Sequence, residues 1–216
     1  MSMNLGKSRI MAIATLGLLT TTVGCDLFNN KEEPGSVSVS QSVLDSGQGT
    51  IGIKNLNQLA PAYSVALGVP MDANLTTVAS NAIPWLSADG TIDNVNATML
   101  LAITGLAGHF CKTFLAQEAS LAPDKRKATK SVDFTKGTVG LTDAIVGQVL
   151  DRYAQIFWRR SPDSSEMSTL RDSLNEAAAA VVEPANGTDA QRSTAAQNAL
   201  LVPCTAAATS IDFIKE

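Results

Sequence analysis

The chain has 216 residues, of which 45% are hydrophobic, and a formal net charge of −4. This length and this apolar content are sufficient for one domain with a packed core. The excess of acidic residues argues against general nucleic-acid binding, which depends on a basic surface.

The first 24 residues have the organisation of a secretory signal. Lys7 and Arg9 precede the apolar run 10–19 (IMAIATLGLL), and small or polar residues follow it. The run has about ten residues, whereas a membrane-spanning helix needs about 20. A cleaved signal peptide is therefore expected at residues 1–24, and a permanent transmembrane helix is not.

The segment Thr22-Val23-Gly24-Cys25 resembles the bacterial lipobox. In that motif small residues precede a cysteine that is lipidated and becomes the new N-terminus, although Thr22 stands where leucine is usual. The alternative is an ordinary signal peptide followed by an incidental cysteine. Because two or more acyl chains form a stable anchor, the resemblance implies that Cys25 fastens the protein to a membrane of the bacterial cell envelope. Which membrane, and which of its faces, stays open.

Residues 25–50 are expected to form a flexible tether between this membrane and a folded domain at residues 51–216. The segment is rich in Ser, Asn, Gly and acidic residues and has few side chains to bury. Its SVSVS stretch alternates like a strand but is too polar for one. Removal of the signal takes away only Lys7 and Arg9, so 14 basic residues face 20 acidic ones and the formal charge becomes −6.

The folded part is predicted to be all-α, a single bundle of about five to six helices. Apolar residues recur with helical spacing over residues 56–67, and Gly68 and Pro70 end that helix. A short helix follows at residues 75–85. The next helix, at residues 95–119, is apolar nearly all round, which is typical of a helix at the centre of a bundle. Residues 121–140 then form a polar connection.

Capping signals predict where three further helices begin. Thr142 and Asp143 begin the first, because an acidic residue suits the positive end of a helix. Ser161-Pro162 begins the second, and a capping box at residues 188–191 begins the third. The helix after Thr142 is expected to bury one face, made of Ile145, Val146, Val149, Leu150, Tyr153 and Phe157.

Two cysteines, Cys111 and Cys204, remain in the folded part of a chain that is expected to reach an oxidising compartment. They are predicted to form a disulfide; the alternative is a pair of buried free thiols. Pro203 is expected to kink or restart the last helix. Residues 204–213 would then be a terminal segment that the disulfide holds against the central helix, with little else to hold it.

Three stretches, LNQLAPAYSVALGV, YAQIFWRRSPDSSEMSTLRDSL and NALLVPCTAAATSIDF, resemble secreted helical domains of unknown function in large bacterial cytochrome-associated proteins. In those families a helix ends in an aromatic-Arg-Arg-Pro pattern with an acidic residue a few positions later. A later helix carries a run that ends in Ser, an acidic residue and Phe. The resemblance implies a helical periplasmic domain and identifies no catalytic residue.

The sequence contains no motif that predicts catalysis or a cofactor. Residues 47–52 (GQGTIG) fit G-x-G-x-x-G but lack the preceding buried strand, so they are interpreted as a Gly-rich join between tether and domain. The haem motif C-x-x-C-H, the zinc motif H-E-x-x-H and the nucleophile elbow G-x-S-x-G are missing. No cofactor, metal ligand or catalytic residue is therefore assigned.

His109 is the single histidine, and it is expected to be buried and hydrogen-bonded rather than bound to a metal. Cys111, two residues away, does not share a helical face with it. An apolar helix is also a poor position for a general base, which needs solvent and a cleft. Glu118 and Asp124 are conceivable as paired carboxylates, but nothing in their spacing selects them.

Two basic clusters are interpreted as structural. The first is expected to be a solvated loop, and the alternative is contact with anionic lipid headgroups. The second, Arg159 and Arg160, complements the dipole at a helix C-terminus, and Trp158 packs beside it. The first cluster consists of Lys125, Arg126, Lys127 and Lys130.

These observations support two hypotheses about function. The first is a non-catalytic, lipid-anchored protein whose helical domain docks to another envelope protein or assembly, because anchor, tether and Ala-rich helices occur without catalytic motifs. The second is a small-ligand-binding protein or hydrolase with a pocket between helices near His109. A concave apolar pocket with polar groups around His109 favours the second, and a filled, dry bundle core contradicts it.

Overall fold

The computed structural model of the protein describes residues 53–86 and 96–215, and there the fold is all-α, as predicted. Two 3₁₀ segments, Pro123–Lys125 and Phe134–Gly140, connect the third and fourth α-helices of the described part. Cys25, the signal, the tether and the GQGTIG stretch all lie outside the described residues. The seven α-helices of the described part are α1 (Leu56–Leu67), α2 (Ala73–Ala82), α3 (Ala97–Ser120), α4 (Asp143–Phe157), α5 (Ser164–Ala180), α6 (Asp189–Ala208) and α7 (Ile211–Ile214).

Side-chain caps set most of the helix ends. Asn55 begins α1 with a capping box to Gln58, and Thr188 begins α6 in the same way. Gly68 ends α1 in the left-handed conformation, with φ 72°. The start of α5 was predicted two residues too early, because the carboxylate of Asp163 accepts from two backbone N–H groups and makes that residue the N-cap.

The core forms around α6, which packs against α3, α5 and the segment Phe134–Gly140. Helices α1 and α2 pack against α3. An aromatic cluster connects α1, the first described helix, to α7, the last. The ring of Tyr63 on α1 lies 5.5 Å from Phe110 and 5.1 Å from Phe213 on α7. Phe157 meets Phe213 edge-on at 5.2 Å. Such pairs stabilise beyond the burial of their area.

Helix α3 is not buried all round, contrary to the prediction. Phe110, Phe114 and Leu115 lie in the core, whereas Leu101 is 73% exposed and Leu100 is 48% exposed. By length and composition alone α3 could cross a membrane, a property that core helices of soluble domains share. Its apolar residues therefore form two faces, one inside the bundle and one on its surface.

Pro203 lies inside α6 and does not restart the helix, although a restart was one of the two outcomes predicted for this proline. Helix α6 runs through Pro203 to Ala208. Proline removes one N–H donor from the helix ladder, but Ala199 and Leu200 before it and Cys204 and Ala207 after it are fully buried. Packing on both sides of the proline therefore holds the helix together.

Hydrogen bonds hold the C-terminal segment of the described chain in place in addition to the disulfide, which the sequence did not indicate. The hydroxyl of Tyr63 donates to the carbonyl of Ala208 at 3.1 Å, and the indole of Trp158 donates to the carbonyl of Ala207 at 3.0 Å. Beyond α7, Ile53 and Lys215 pair as an isolated antiparallel bridge. The expectation that the disulfide alone pins residues 204–213 is therefore wrong.

The first basic cluster is exposed as expected at Lys125, Lys127 and Lys130, but Arg126 is buried, with 8% of its surface exposed. Its guanidinium donates to the carbonyls of Leu121 at 2.9 Å and Val132 at 2.6 Å. It also lies 5.0 Å above the ring of Phe134. A buried charge is stable only when it has hydrogen-bond partners. The bonds of Arg126 therefore hold together the start and the middle of the connection between α3 and α4, residues 121–140.

Glu118, near the end of α3, accepts hydrogen bonds from backbone N–H groups of the same connection. Its carboxylate, 2% exposed, accepts the backbone N–H groups of Lys127, Ala128 and Thr129 at 2.6, 2.9 and 2.8 Å, and the Thr129 hydroxyl at 2.9 Å. Asp124 instead lies at the surface beside Lys125. The two carboxylates are therefore not a pair.

Candidate functional site

An open groove of about 590 Å³ lies on the surface between α3 and α6. We call it the α3–α6 groove. Small residues of both helices line it, among them Gly105 and Gly108 of α3 and Ala206 of α6. His109 and Lys112 add an imidazole and an ammonium group to a mostly apolar lining.

The two glycines of the groove stand in the interior of a continuous helix, where glycine is less favourable than alanine by about 1 kcal/mol. A Cβ on Gly105 would meet no atom within 4 Å, and one on Gly108 would meet only the Thr205 hydroxyl at 3.9 Å. Packing among the described residues therefore requires neither glycine. The sequence signal was present, two glycines three residues apart on an apolar helix, but only the structure shows that they face outward.

His109 lies exposed in this groove, so the prediction of a buried histidine is wrong. The reason is its position on α3: Phe110 and Cys111 turn towards the core, whereas His109 and Lys112 share the opposite face. Among the described residues, no group of three or more His, Cys, Asp or Glu side chains could hold a metal ion.

The structure contains the predicted disulfide between Cys111 and Cys204, with a Cα–Cα distance of 6.0 Å. Both residues are fully buried. The bond joins α3 to α6, the two helices that form the groove. It therefore fixes the spacing of the two walls covalently.

The polar side chains of the α6 wall are already engaged. The hydroxyl of Thr205 donates to the carbonyl of Leu201 at 2.9 Å, and that of Thr209 to the carbonyl of Thr205 at 3.0 Å. What the groove offers to a ligand is consequently apolar surface, close access to two helix backbones, and the two basic side chains of α3.

The two arginines after α4 differ from each other. Arg160 binds Glu166 at 2.6 Å and Asp212 at 2.5 Å and lies 5.3 Å above the ring of Trp158. Hydrogen bonds to these carboxylates raise the pKa of Arg160 above its ordinary value. Arg159 forms no ion pair within the described residues, and its backbone is left-handed, with φ 58°.

Comparison with known proteins identifies no relative: no family model matches the chain, and no curated protein and no solved structure matches it. The resemblance to cytochrome-associated helical domains accordingly stays a prediction. Any assignment of function rests on the geometry of the molecule.

Proposed function

We propose that this is a non-catalytic, lipid-anchored protein of the bacterial cell envelope, and that its helical domain docks a helix of another envelope protein in the α3–α6 groove. The observation that carries the proposal is the pair Gly105 and Gly108, which keep the groove open although none of the residues that the structure describes needs the space. An approaching helix does need it, because small residues let two helix backbones come close.

The shape of the groove favours a helix over a small molecule. Sites for small ligands bury most of the ligand surface, whereas this groove is open along the two helices that form it. Leu101, one turn before Gly105, and Val202 are 73% and 44% exposed and offer apolar contacts. Amphipathic helices bind such grooves through residues spaced three and four apart. His109 and Lys112 would face acidic positions of that helix.

The docking proposal is tested with Gly105→Leu in the full-length protein. The leucine has room within the domain, so the fold is expected to persist, with an unchanged or higher melting temperature. Its side chain would occupy the groove. Cross-linking in membranes followed by mass spectrometry is expected to recover a partner with the wild type and to lose it with Gly105→Leu.

Asn175→Leu is the matched control, because it adds a leucine to an exposed position of α5, which does not line the groove. This variant is expected to keep the partner. Equal recovery of the partner by the wild type and by Gly105→Leu would overturn the proposal, as would a protein that is strictly monomeric and cross-links to nothing.

The anchor is tested separately through Cys25. The variant Cys25→Ser removes the thiol that would carry the acyl chains, so metabolic labelling with a fatty-acid analogue is expected to mark only the wild type. Label that persists on Cys25→Ser would show that a lipid is attached to a residue other than Cys25.

A second candidate, a small-ligand-binding protein, is favoured by one observation: His109 and Lys112 lie one turn apart in an apolar groove. We favour binding over hydrolysis because the hydroxyls of Thr205 and Thr209 are bonded to their own helix. Native mass spectrometry of the purified protein distinguishes the candidates. A bound small molecule that His109→Ala releases would support this one.

A further inference from the structure

A second groove lies between α1 and α4. It consists of two adjoining depressions, of about 340 and 250 Å³, which share Val65, Ala66, Ile156 and Arg159. We call it the α1–α4 groove. Val65 is 77% exposed in it, so the groove presents apolar surface to the outside.

Three cations line the larger depression: Lys127, Arg152 and Arg159. Lys127 donates to the carbonyl of Ala66, and Arg152 donates to the amide oxygen of Gln155 at 2.8 Å. Within the part of the chain that the structure describes, none of the three forms an ion pair with a carboxylate. They therefore leave a positive charge that an anionic group could neutralise.

Neither of two acidic residues close to this groove, Asp212 and Asp151, forms an ion pair with one of these three cations in the described part of the chain. Asp212, in the smaller depression, is paired with Arg160 at 2.5 Å and with Lys215 at 3.1 Å. Asp151 accepts a hydrogen bond from Gln155 at 2.7 Å. The rest of the chain is acidic and repels an anionic ligand, so such a ligand is expected to bind at this basic groove.

The backbone of Arg159 gives an independent indication. Two residues after the end of α4, it occupies the left-handed conformation in which helices most often have glycine. A side chain there is strained, and strain of this kind persists where the surrounding structure imposes it, often at functional sites. Arg160, next to it, holds the local fold together, whereas Arg159 supplies charge to the groove.

The position of the tether indicates which anionic surface is within reach. Lys54, at the start of the described domain, lines the smaller depression, so the chain enters the domain at this groove. Cys25 lies 28 residues before Ile53. With the flexibility that the sequence predicts for it, a chain of that length would span about 30 Å. A membrane that holds Cys25 would then be within reach of the groove.

We propose that the α1–α4 groove is the face with which the domain lies on its membrane, and that Lys127, Arg152 and Arg159 bind the phosphate groups of anionic phospholipids there. The exposed Val65 and its neighbours contact the adjoining acyl region. This inference rests on the lipid anchor proposed above, and it is independent of the partner in the α3–α6 groove.

The experiment uses Trp158, which lines the groove, as a probe. Trp85→Phe leaves it as the single tryptophan, since the chain has two. The full-length lipidated protein is reconstituted into vesicles of brominated phosphatidylcholine, with or without brominated phosphatidylglycerol. Bromine is expected to quench Trp158 fluorescence more strongly in the anionic vesicles. Loss of one cation is expected to weaken the association of the groove with the anionic surface about fivefold.

Arg159→Gly and Arg152→Gln are the test variants, and Lys125→Gln is the control, since Lys125 is exposed in the same part of the chain but lies outside the groove. Arg159→Gly removes the charge and relieves the strained backbone, so a weaker signal cannot come from unfolding. We expect both test variants to lower the quenching and the control to leave it unchanged.

Three results would overturn the proposal. Equal quenching in neutral and anionic vesicles would show that the cations do not act on lipid. Suppression by inorganic phosphate, but not by chloride of equal ionic strength, would show a site for soluble phosphate instead. Quenching that Arg159→Gly and Arg152→Gln leave intact would place the contact elsewhere.

Failure of the anchor gives a different result, because a protein without lipid does not float with phosphatidylcholine vesicles. Flotation with phosphatidylglycerol vesicles that Arg159→Gly abolishes would still support the groove. Failure to float with either type of vesicle would overturn it.

Discussion

The guanidinium of Arg160 lies 2.5 Å from the carboxylate of Asp212, a residue 52 positions later in the sequence. The same guanidinium binds both carboxylate oxygens of Glu166, at 2.6 and 2.7 Å. One side chain therefore joins the end of α4 to the first turn of α5 and to α7. Charge-assisted, bidentate hydrogen bonds of this kind are stronger than hydrogen bonds between neutral groups.

This arrangement predicts a loss of stability in acid. The bonds from Arg160, together with the N–H of Asp163, lower the pKa of Glu166 from 4.5 to about 2. Bonds from Arg160 and Lys215 also lower the pKa of Asp212 from 3.8. Because both folded-state pKa values are depressed, the two carboxylates make their full contribution to the free energy of unfolding above about pH 5. That contribution is lost as the pH falls towards 2. Urea unfolding between pH 6 and 2 measures it.

The control for the acid prediction is Arg160→Gln, in which the carboxylates lose their charged partner. We expect the variant to be less stable at pH 6 and to lose less stability than the wild type on acidification. Parallel pH profiles for the two proteins would show that Arg160 does not cause the effect.

Arg159→Gly is expected to stabilise the protein by about 1 kcal/mol, because glycine adopts the left-handed conformation without the cost of a Cβ. Arg159→Ala also loses the guanidinium but keeps the Cβ, so it is expected to leave the free energy of unfolding nearly unchanged. Chemical denaturation of both variants checks the difference. Equal effects would mean that the side chain, and not the backbone, determines stability here.

Two buried tyrosines are expected to respond oppositely to removal of the hydroxyl. Tyr63 donates to the carbonyl of Ala208 at 3.1 Å, whereas the hydroxyl of Tyr153 has no hydrogen-bond partner among the described residues. Tyr63→Phe is expected to destabilise by about 1 kcal/mol, and Tyr153→Phe to be neutral or stabilising. Thermal and urea unfolding decide between them. Destabilisation by Tyr153→Phe would reveal a partner for that hydroxyl, such as a bound water.

Glu118→Ala is expected to destabilise the bundle by about 3 kcal/mol or more, since three N–H groups, two of them buried, would lose their acceptor. Glu118→Gln keeps one oxygen and is expected to cost less. Hydrogen exchange at Lys127, Ala128 and Thr129 should accelerate in the alanine variant first. Unchanged exchange there would contradict the role of Glu118 as the cap of the connection.

Reduction of the disulfide is expected to cost about 2–5 kcal/mol of unfolding free energy, since the bond closes a long loop. Because Tyr63 and Trp158 also hold the end of α6, we expect the whole bundle to weaken, without early release of the terminal segment. Limited proteolysis after reduction checks this order. Under denaturing, non-reducing conditions the mature protein should show no free thiol, and two free thiols would disprove the bond.

The sequence by itself determined that helices α1 to α6 of the described part exist, and it placed both ends of α1 and the starts of α4 and α6 at the right residues. Helical spacing and local caps, such as Asn55 with Gln58 and the αL residue Gly68, act within a few residues of each other, so they can be read along the chain. The disulfide was predictable for a different reason: only two cysteines remain in the folded part of a chain expected to be secreted.

The buried face of α4 was predictable from its apolar spacing, since Val149 and Tyr153 lie in the core as expected, but only the tertiary structure decided which side of α3 meets the core. The apolar pattern of α3 is nearly uniform, so its sequence could not show that Phe110 faces inward and Gly105 faces outward. The same holds for His109, whose exposure depends on where α6 lies.

Charged side chains give the clearest contrast. Lys125, Arg126 and Lys127 are one run in the sequence, yet Arg126 is buried on carbonyl groups and its neighbours are exposed. Arg159 and Arg160 are both exposed, but among the described residues only Arg160 pairs with carboxylates, those of Glu166 and Asp212, and Asp212 is distant along the chain. Whether a charged side chain is buried or paired depends on the groups that folding brings near it, and the neighbouring residues in the sequence do not identify those groups.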